Sequence, residues 1–306
     1  MLELKHLRQA MARHGDLLDH PVREFAIGER RFAFNSQRML MGVINLSPDS
    51  AYRESVCRTP EEARARGMAL IQAGADLVDI GAESSLPEAD RVGPEAQIDR
   101  LRPVVKALCG QGAALSVESY YPEVLEACAQ AGARVFNLTG SRDIPSVLAL
   151  AARYQAAVIH CFVQGETVRQ VVDYPPFETA LDDVEAFLRT RLETAMAAGV
   201  TRNIIDPGLG FYYPNLTDGV SRVSLQMHTL THAWRLRRLG WPVMNILPHA
   251  PIVFGEAHRR QAEPFFAVLA LLGGSHILRT HEMEAVARVR AVMDTYRPEL
   301  FPSAKS

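Results

Sequence analysis

The run Met41-Gly-Val-Ile-Asn-Leu-Ser-Pro-Asp-Ser50 is apolar until Asn45 and then breaks into Ser-Pro-Asp-Ser. A short apolar run stopped by turn chemistry is the pattern of a strand covered on both faces, so residues 39–44 read as a buried strand with Asn45 at its carboxyl end. The pattern recurs at Val78-Asp-Ile-Gly-Ala-Glu-Ser84, Leu115-Ser-Val-Glu118, Val135-Phe-Asn137, Val158-Ile-His160, Ile204-Ile-Asp-Pro-Gly208 and Ile277-Leu-Arg-Thr-His281. Strands are predicted near 39–45, 76–80, 114–117, 134–137, 157–160, 203–206, 242–246 and 276–280. Helical patterns near 60–73, 94–109, 121–131, 144–153, 177–198, 222–239, 262–272 and 282–296 alternate with them. Eight strand–helix units in about 250 residues fit the α/β class as a parallel (β/α)8 TIM barrel. The Gly-rich phosphate turn that opens a doubly wound sheet is missing after the first strand.

Local signals agree with the alternation. Thr59-Pro60-Glu-Glu62 supplies an N-cap, a proline in the first turn and acids at the positive helix end, and Gly74, Gly132 and Gly199 follow helix ends. Phe25-Ala-Ile-Gly-Glu-Arg-Arg-Phe-Ala-Phe34 reads as a β-hairpin able to plug a barrel floor. Leu4, Leu7, Met11, Leu17 and Leu18 among charges fit a short, loosely docked N-terminal helix. The expected division is an extension over 1–24, the barrel over 25–298 and a tail over 299–306.

Composition excludes several classes. With 48% hydrophobic residues, 22% charged residues and a formal charge of −2, the chain suits a soluble globular protein and gives no reason to expect nucleic acid as a partner. No signal-peptide pattern or membrane-length apolar run stands out, and the four cysteines lack CxxC spacing. Free thiols and a cytoplasmic location are expected.

On Met41–Ser50, Gly74-Ala-Asp-Leu-Val-Asp-Ile-Gly-Ala-Glu-Ser84, Asp206-Pro-Gly-Leu-Gly-Phe211 and Arg279-Thr-His281, in that order and at barrel spacing, the chain resembles the dihydropteroate synthases. It resembles as well the wider pterin-binding barrel group that includes methyltetrahydrofolate methyltransferases. The similarity runs from about residue 25 to residue 296. It implies that Asp206 and Asn137 hold a pterin ring by hydrogen bonds, with Glu118 where family members carry an Asp. A fixed carboxylate suits the paired N–H donors of an aminopyrimidinone edge, and an amide suits a mixed edge. The resemblance also implies that Asn45 helps hold Mg²⁺ and diphosphate if the chain is an active synthase, and that Arg279 and His281 anchor the diphosphate. Asp79 and Glu83 could equally tie loops together, and His249 could act as a base or a donor to a pterin.

The departures concern the acceptor. Ser84-Ser85-Leu86-Pro87 stands where family synthases carry Ser-Thr-Arg-Pro, Met244-Asn-Ile-Leu-Pro-His-Ala250 where they carry Ser-Arg-Lys, Ala51 where they carry Phe, and Tyr212-Tyr213 where a Lys is expected. The resulting expectation is a transferase with an altered acceptor site, moving a pterinylmethyl or one-carbon group. Its alternatives are an authentic dihydropteroate synthase using p-aminobenzoate and a non-catalytic pterin-binding or partner subunit. A reduced pterin or folate is the expected cosubstrate and a homodimer the expected assembly, Pro264-Phe-Phe-Ala-Val-Leu-Ala-Leu-Leu272 being core or dimer face. The methyltransferase branch would imply a corrinoid protein as partner. His228 and His232, four apart on a predicted helix, could ligate Zn²⁺ but bring no third ligand.

Overall fold

The computed structural model describes residues 2–47, 56–84, 89–140, 142–167, 170–211 and 213–300. The sequence features at 48–51, 85–87 and 212 lie outside the described residues. Helix α1 (Leu4–His14) leads to strands β1 (Phe25–Ile27) and β2 (Arg30–Phe32), which pair antiparallel across a turn at Gly28. Then follow β3 (Met39–Asn45), α2 (Pro60–Gln72), β4 (Leu77–Gly81), α3 (Pro94–Leu108), β5 (Ala114–Glu118), α4 (Pro122–Ala131), β6 (Val135–Leu138) and α5 (Ile144–Arg153). The second half comprises β7 (Ala157–Cys161), α6 (Ala180–Ala197), β8 (Asn203–Asp206), α7 (Gly219–Thr231), β9 (Met244–Ile246), α8 (Pro251–Phe254), α9 (Glu263–Leu272), β10 (Ile277–Thr280) and α10 (Met283–Met293).

The eight long-range strands form one parallel sheet in the order β8-β7-β6-β5-β4-β3-β10-β9, and a parallel bridge between Ile205 and Val243 brings its two edges together. This is the (β/α)8 barrel that the alternation predicts. Period-2 alternation sorts the strand residues into two layers. Leu40, Val78, Ile80, Leu115, Val117, Phe136, Val158 and Leu278 face outward into the helix layer. Met39, Met41, Leu77, Ala114, Val135, Ala157, Ile204, Met244 and Ile277 face inward, where Ile27, Phe32 and Phe34 of the hairpin region pack against them. The hairpin therefore closes the amino-terminal end of the barrel with apolar side chains.

Helix ends follow the chemistry read from the sequence. Thr59 Oγ1 accepts the Glu62 N–H, and Gly132 takes a left-handed φ of +119° after α4. Besides the added single turn of α8, one helix differs from expectation. The 222–239 pattern divides into α7 and a 3₁₀ segment at Ala233–Leu239, because the Trp234 N–H donates to Gly273 O at 2.7 Å. That bond replaces the next rung of the α ladder, and Gly273 lies so close that a Cβ there would meet Leu230 O at 1.8 Å. The amino-terminal helix buries no residue, and only Leu17 in the turn after it is covered. All four cysteines are free thiols, and among the described residues no helix is long and apolar enough to cross a membrane.

Fully buried Phe32 stacks 5.8 Å from Phe34 at the barrel floor. Phe32→Ala is expected to destabilise the fold by about 3–5 kcal/mol in denaturant titration. Leu4→Ala on α1, where Leu4 is 84% exposed, should stay within about 0.5 kcal/mol.

Candidate active site

Two residues beyond six of the inward positions, the same alternation points a polar side chain into the barrel. Asp79 follows Leu77, Ser116 follows Ala114, Asn137 follows Val135, Arg279 follows Ile277, Asp206 follows Ile204 and Cys161 follows Ile159. Strand pairing then aligns Asn45 with Gly81, Gly81 with Glu118 and Glu118 with Asn137, one polar row at the carboxyl rim.

Asp79 is the hub. Its Oδ1 accepts from Ser116 Oγ at 2.6 Å, and its Oδ2 accepts from Asn137 Nδ2 at 3.0 Å and from Arg279 Nε and Nη2 at 2.9 Å each. Glu118 Oε2 lies 3.6 Å from Arg279 Nη2, and Glu118 Oε1 accepts from Thr139 Oγ1 at 3.0 Å. Across the barrel, Asp206 Oδ1 accepts the Gly208 N–H at 2.8 Å. Gly208 has φ +78° and approaches Phe162 O so closely that a Cβ would sit 2.2 Å from it, which requires glycine in this Asp-Pro-Gly turn. Tyr213 Oη donates to Gly208 O at 2.8 Å and Tyr174 Oη to Pro207 O at 3.1 Å, so two buried tyrosines prop the turn that aims Asp206.

Three carboxylates thus share one buried guanidinium. Burial pushes the Glu118 carboxyl up to about 7 against the pull of Arg279, with Asp79 adding repulsion. Burial likewise raises Asp206 to about 6, opposed by the Gly208 N–H and Arg279. Burial holds the Cys161 thiol well above its usual range, so it is a neutral donor beside Asp206. Arg279 is raised, since the attraction of Asp79 and Glu118 exceeds the cost of its burial.

The sequence reading grouped some residues differently. Arg279 and His281, expected together as a diphosphate anchor, pair with different acids. Arg279 is taken up by Asp79 and Glu118, whereas His281 Nδ1 lies 3.3 Å from Glu263 Oε1, which also meets His249 Nε2 at 2.8 Å. Asp79, weighed as a loop tie, sits at the centre of the polar network. Glu83 does tie a loop, for its Oε2 accepts from Gln97 Nε2 at 3.0 Å and Gln97 also donates to Val92 O. His160 faces the helix layer rather than the rim, bonded to Asn203 Oδ1 at 2.9 Å and pushed down to about 4 by burial. Its neighbour Cys161 is the inward residue. His228 and His232 stack on each other at 4.1 Å, and His232 Nδ1 meets His228 O at 2.8 Å. They belong to no three-ligand cluster among the described residues.

Sequence reasoning missed Ser116, Thr139 and Glu263. Ser116 carried a signal, as the polar residue two positions before Glu118 on an alternating strand. Glu263 carried a weaker one, an acid opening an otherwise apolar helix.

A cavity of about 480 Å³ lies beside this cradle, between the loops after β8 and β9. Leu209, Gly210, Ile246 and Ile252 supply apolar wall, while Arg222, Gln226, His249 and Arg259 supply polar groups. Asn45 ends β3 half-buried at the rim, with its carbonyl accepting the Cys57 N–H at 2.8 Å.

The model of the pterin binding enzyme family matches residues 41–281. Dihydropteroate synthase of Streptococcus pyogenes serotype M6 is 30% identical over 275 residues, covering 86% of this chain and 97% of that protein. The Synechocystis dihydropteroate synthase is 27% identical over 283 residues, covering 88% and 93%. Among solved structures, Xanthomonas albilineans dihydropteroate synthase with 4-aminobenzoic acid superposes with a TM-score of 0.75 at 29% identity, covering 89% of this chain and 97% of that one. The same enzyme in complex with 7,8-dihydropteroate gives 0.71 at 27% identity, with the same coverage. The chain belongs to the pterin-binding enzyme family, as a dihydropteroate synthase-like member.

Proposed function

We propose that this enzyme joins a dihydropterin diphosphate to the amine of p-aminobenzoate. The carbon–oxygen bond to the diphosphate breaks with its electron pair leaving on the diphosphate, the amine nitrogen takes that carbon, and the amine loses a proton. The observation that carries this reading is the acceptor-rich barrel mouth around Asp79, where, among the described residues, the Asp79, Glu118 and Asp206 carboxylates face the single guanidinium of Arg279. Such a mouth selects a ligand edge crowded with N–H donors, as an aminopyrimidinone is. Asp206 would accept the paired N–H groups. Asn137, whose Nδ2 is committed to Asp79, would turn its carbonyl oxygen to the ring. Glu118 would complete the cradle through Thr139 and Arg279.

The leaving diphosphate would lie toward Asn45 and the β10 end, near Arg279 and His281. Asn45 Oδ1 is one hard oxygen donor at the rim. That suits Mg²⁺, which keeps waters and takes substrate phosphate oxygens for the rest of its shell. The ion would supply charge neutralisation to the departing diphosphate. The adjoining cavity, apolar with Arg222 and Arg259 in its wall, suits a flat arylamine bearing a carboxylate.

One observation favours a second reading with a different acceptor. The chain has only three lysines, Lys5, Lys106 and Lys305, and the two described ones lie on α1 and the outer helix α3. Neither described lysine lies on the rim segment after β9, where His249 stands instead. Release of diphosphate from dihydropterin diphosphate on addition of p-aminobenzoate decides between the two. Release supports the synthase, while diphosphate released only with another amine identifies an altered acceptor. Binding of a reduced folate without any release would overturn both.

Asp79→Asn removes the charge that holds Arg279 and Asn137. It should lower kcat/KM by about 10²–10³-fold, measured by diphosphate release in a variant whose circular dichroism is unchanged.

Asp206 accepts two N–H groups only when ionised. With its carboxyl raised to about 6, pterin affinity should be flat at alkaline pH and weaken about tenfold per unit below pH 6. Asp206→Asn should flatten that limb in titration calorimetry. Glu118, raised to about 7, keeps a proton in the folded chain that the unfolded chain has already lost. Its contribution to stability thus falls as pH rises from the ordinary carboxylate range through about 7. Glu118→Gln should therefore raise the melting temperature at pH 8 and change it little at pH 4.

A further inference from the structure

We propose that His249, Glu263 and His281 form a binding site for a Zn²⁺-class divalent transition metal, with an open coordination position toward the cavity beside the pterin cradle. The three come from separate parts of the chain: His249 from the loop after β9, Glu263 from the first turn of α9 and His281 from the residue after β10. Their ligand atoms nonetheless converge. His249 Nε2 is 2.8 Å and His281 Nδ1 3.3 Å from Glu263 Oε1, and all three atoms lie within 4.8 Å of one another. A tetrahedral Zn²⁺ with bonds of about 2.0–2.1 Å holds its ligand atoms about 3.4 Å apart, close to the separations of Glu263 Oε1 from the two imidazoles.

The donor set points to the metal class. Two imidazole nitrogens and one carboxylate oxygen match Zn²⁺, Co²⁺ or Fe²⁺, and they are poor company for Mg²⁺ or Ca²⁺, which take oxygen ligands. The carboxylate is braced for one-oxygen ligation. Glu263 Oε2 accepts from Thr280 Oγ1, from the His281 N–H at 3.0 Å and from the Glu282 N–H at 3.3 Å, leaving Oε1 directed at the two imidazoles. Such outer bonds fix the direction of a metal ligand before the ion arrives. Glu263 is fully buried, so its carboxylate has no exchange with bulk solvent to compete with a ligated ion.

Access is on one side. Glu263 and His281 are buried, whereas His249 lies in the wall of the 480 Å³ cavity, so among the described residues the open side of the cluster is at His249. A metal there would offer a Lewis acid to a carboxylate, phosphate or hydroxyl group seated in that cavity. The site is argued from these three side chains alone, and it borders the proposed arylamine cavity at His249.

The test uses the full chain, stripped with chelator, dialysed against Zn²⁺ and analysed by elemental mass spectrometry. One equivalent of Zn²⁺ per chain is expected, together with a Zn²⁺-dependent rise in melting temperature. Loading with Co²⁺ should give the visible absorption of a low-coordinate ion. His249→Ala, at the cavity wall, should weaken Zn²⁺ binding by at least ~100-fold, because loss of an outer partner alone costs about 10–100-fold. His228→Ala should leave the stoichiometry unchanged. No retained metal in the wild-type chain, or full retention in His249→Ala, would overturn the proposal. Glu263→Gln adds a second check where it folds, and His249→Ala decides where it does not.

Discussion

The Asp79 carboxylate accepts hydrogen bonds from β5, β6 and β10 at once, through Ser116, Asn137 and Arg279, while itself standing on β4. A carboxylate in a dry barrel costs several kcal/mol of lost hydration, which those charge-assisted bonds offset. The arrangement works in only one register. A slip of one residue on β4 would drive Asp79 into the helix layer among Leu40, Leu115 and Leu278 and leave the Arg279 guanidinium buried without its counter-charge. The same contact that builds the site therefore specifies the sheet. Below it the floor is apolar and closed by the hairpin, so stability resides at one end of the barrel and chemistry at the other.

Charge in the mouth is unbalanced by design of the backbone. Asp79, Glu118 and Asp206 surround Arg279, and the raised carboxyls of Glu118 and Asp206 report the mismatch. Backbone and side-chain donors relieve only part of it: Gly208 N–H for Asp206, Thr139 for Glu118, the neutral Cys161 thiol at the side. A ligand that brings several N–H donors completes what the protein leaves undone, so ligand binding and proton release are coupled at this rim.

Much of the fold was legible because it rests on local rules. Strand length, alternation and caps are properties of neighbours in sequence, and β3 to β10 fall where those patterns place them. The site was legible only where a residue ended a strand in phase. His160 was one residue out of phase, and nothing in Val158-Ile-His160 shows that the inward position is Cys161. Asp79 read as one acid among several because its meaning depends on Arg279, 200 positions later and two strands away. Glu263 was hidden by its setting: at the head of a helix an acid is ordinary, and its partners His249 and His281 converge on it through tertiary folding alone. The break after α7 was invisible for the same reason, being imposed by Gly273 at the carboxyl end of a different helix.

Arg279 and His281 stand two apart at the end of one strand, yet each answers to a different buried acid. Asp79 neutralises the guanidinium and Glu263 orients the imidazole, so the Arg-x-His pair is two electrostatic units rather than one positive patch. An anion arriving at this strand end meets cations already compensated. Its binding must then draw on hydrogen-bond donors and on charge brought from elsewhere, such as a bound cation at the rim. That constraint follows from the placement of two carboxylates: a ligand edge rich in donors finds acceptors at this rim, whereas an anion needs donors the strand end has already spent on its own acids.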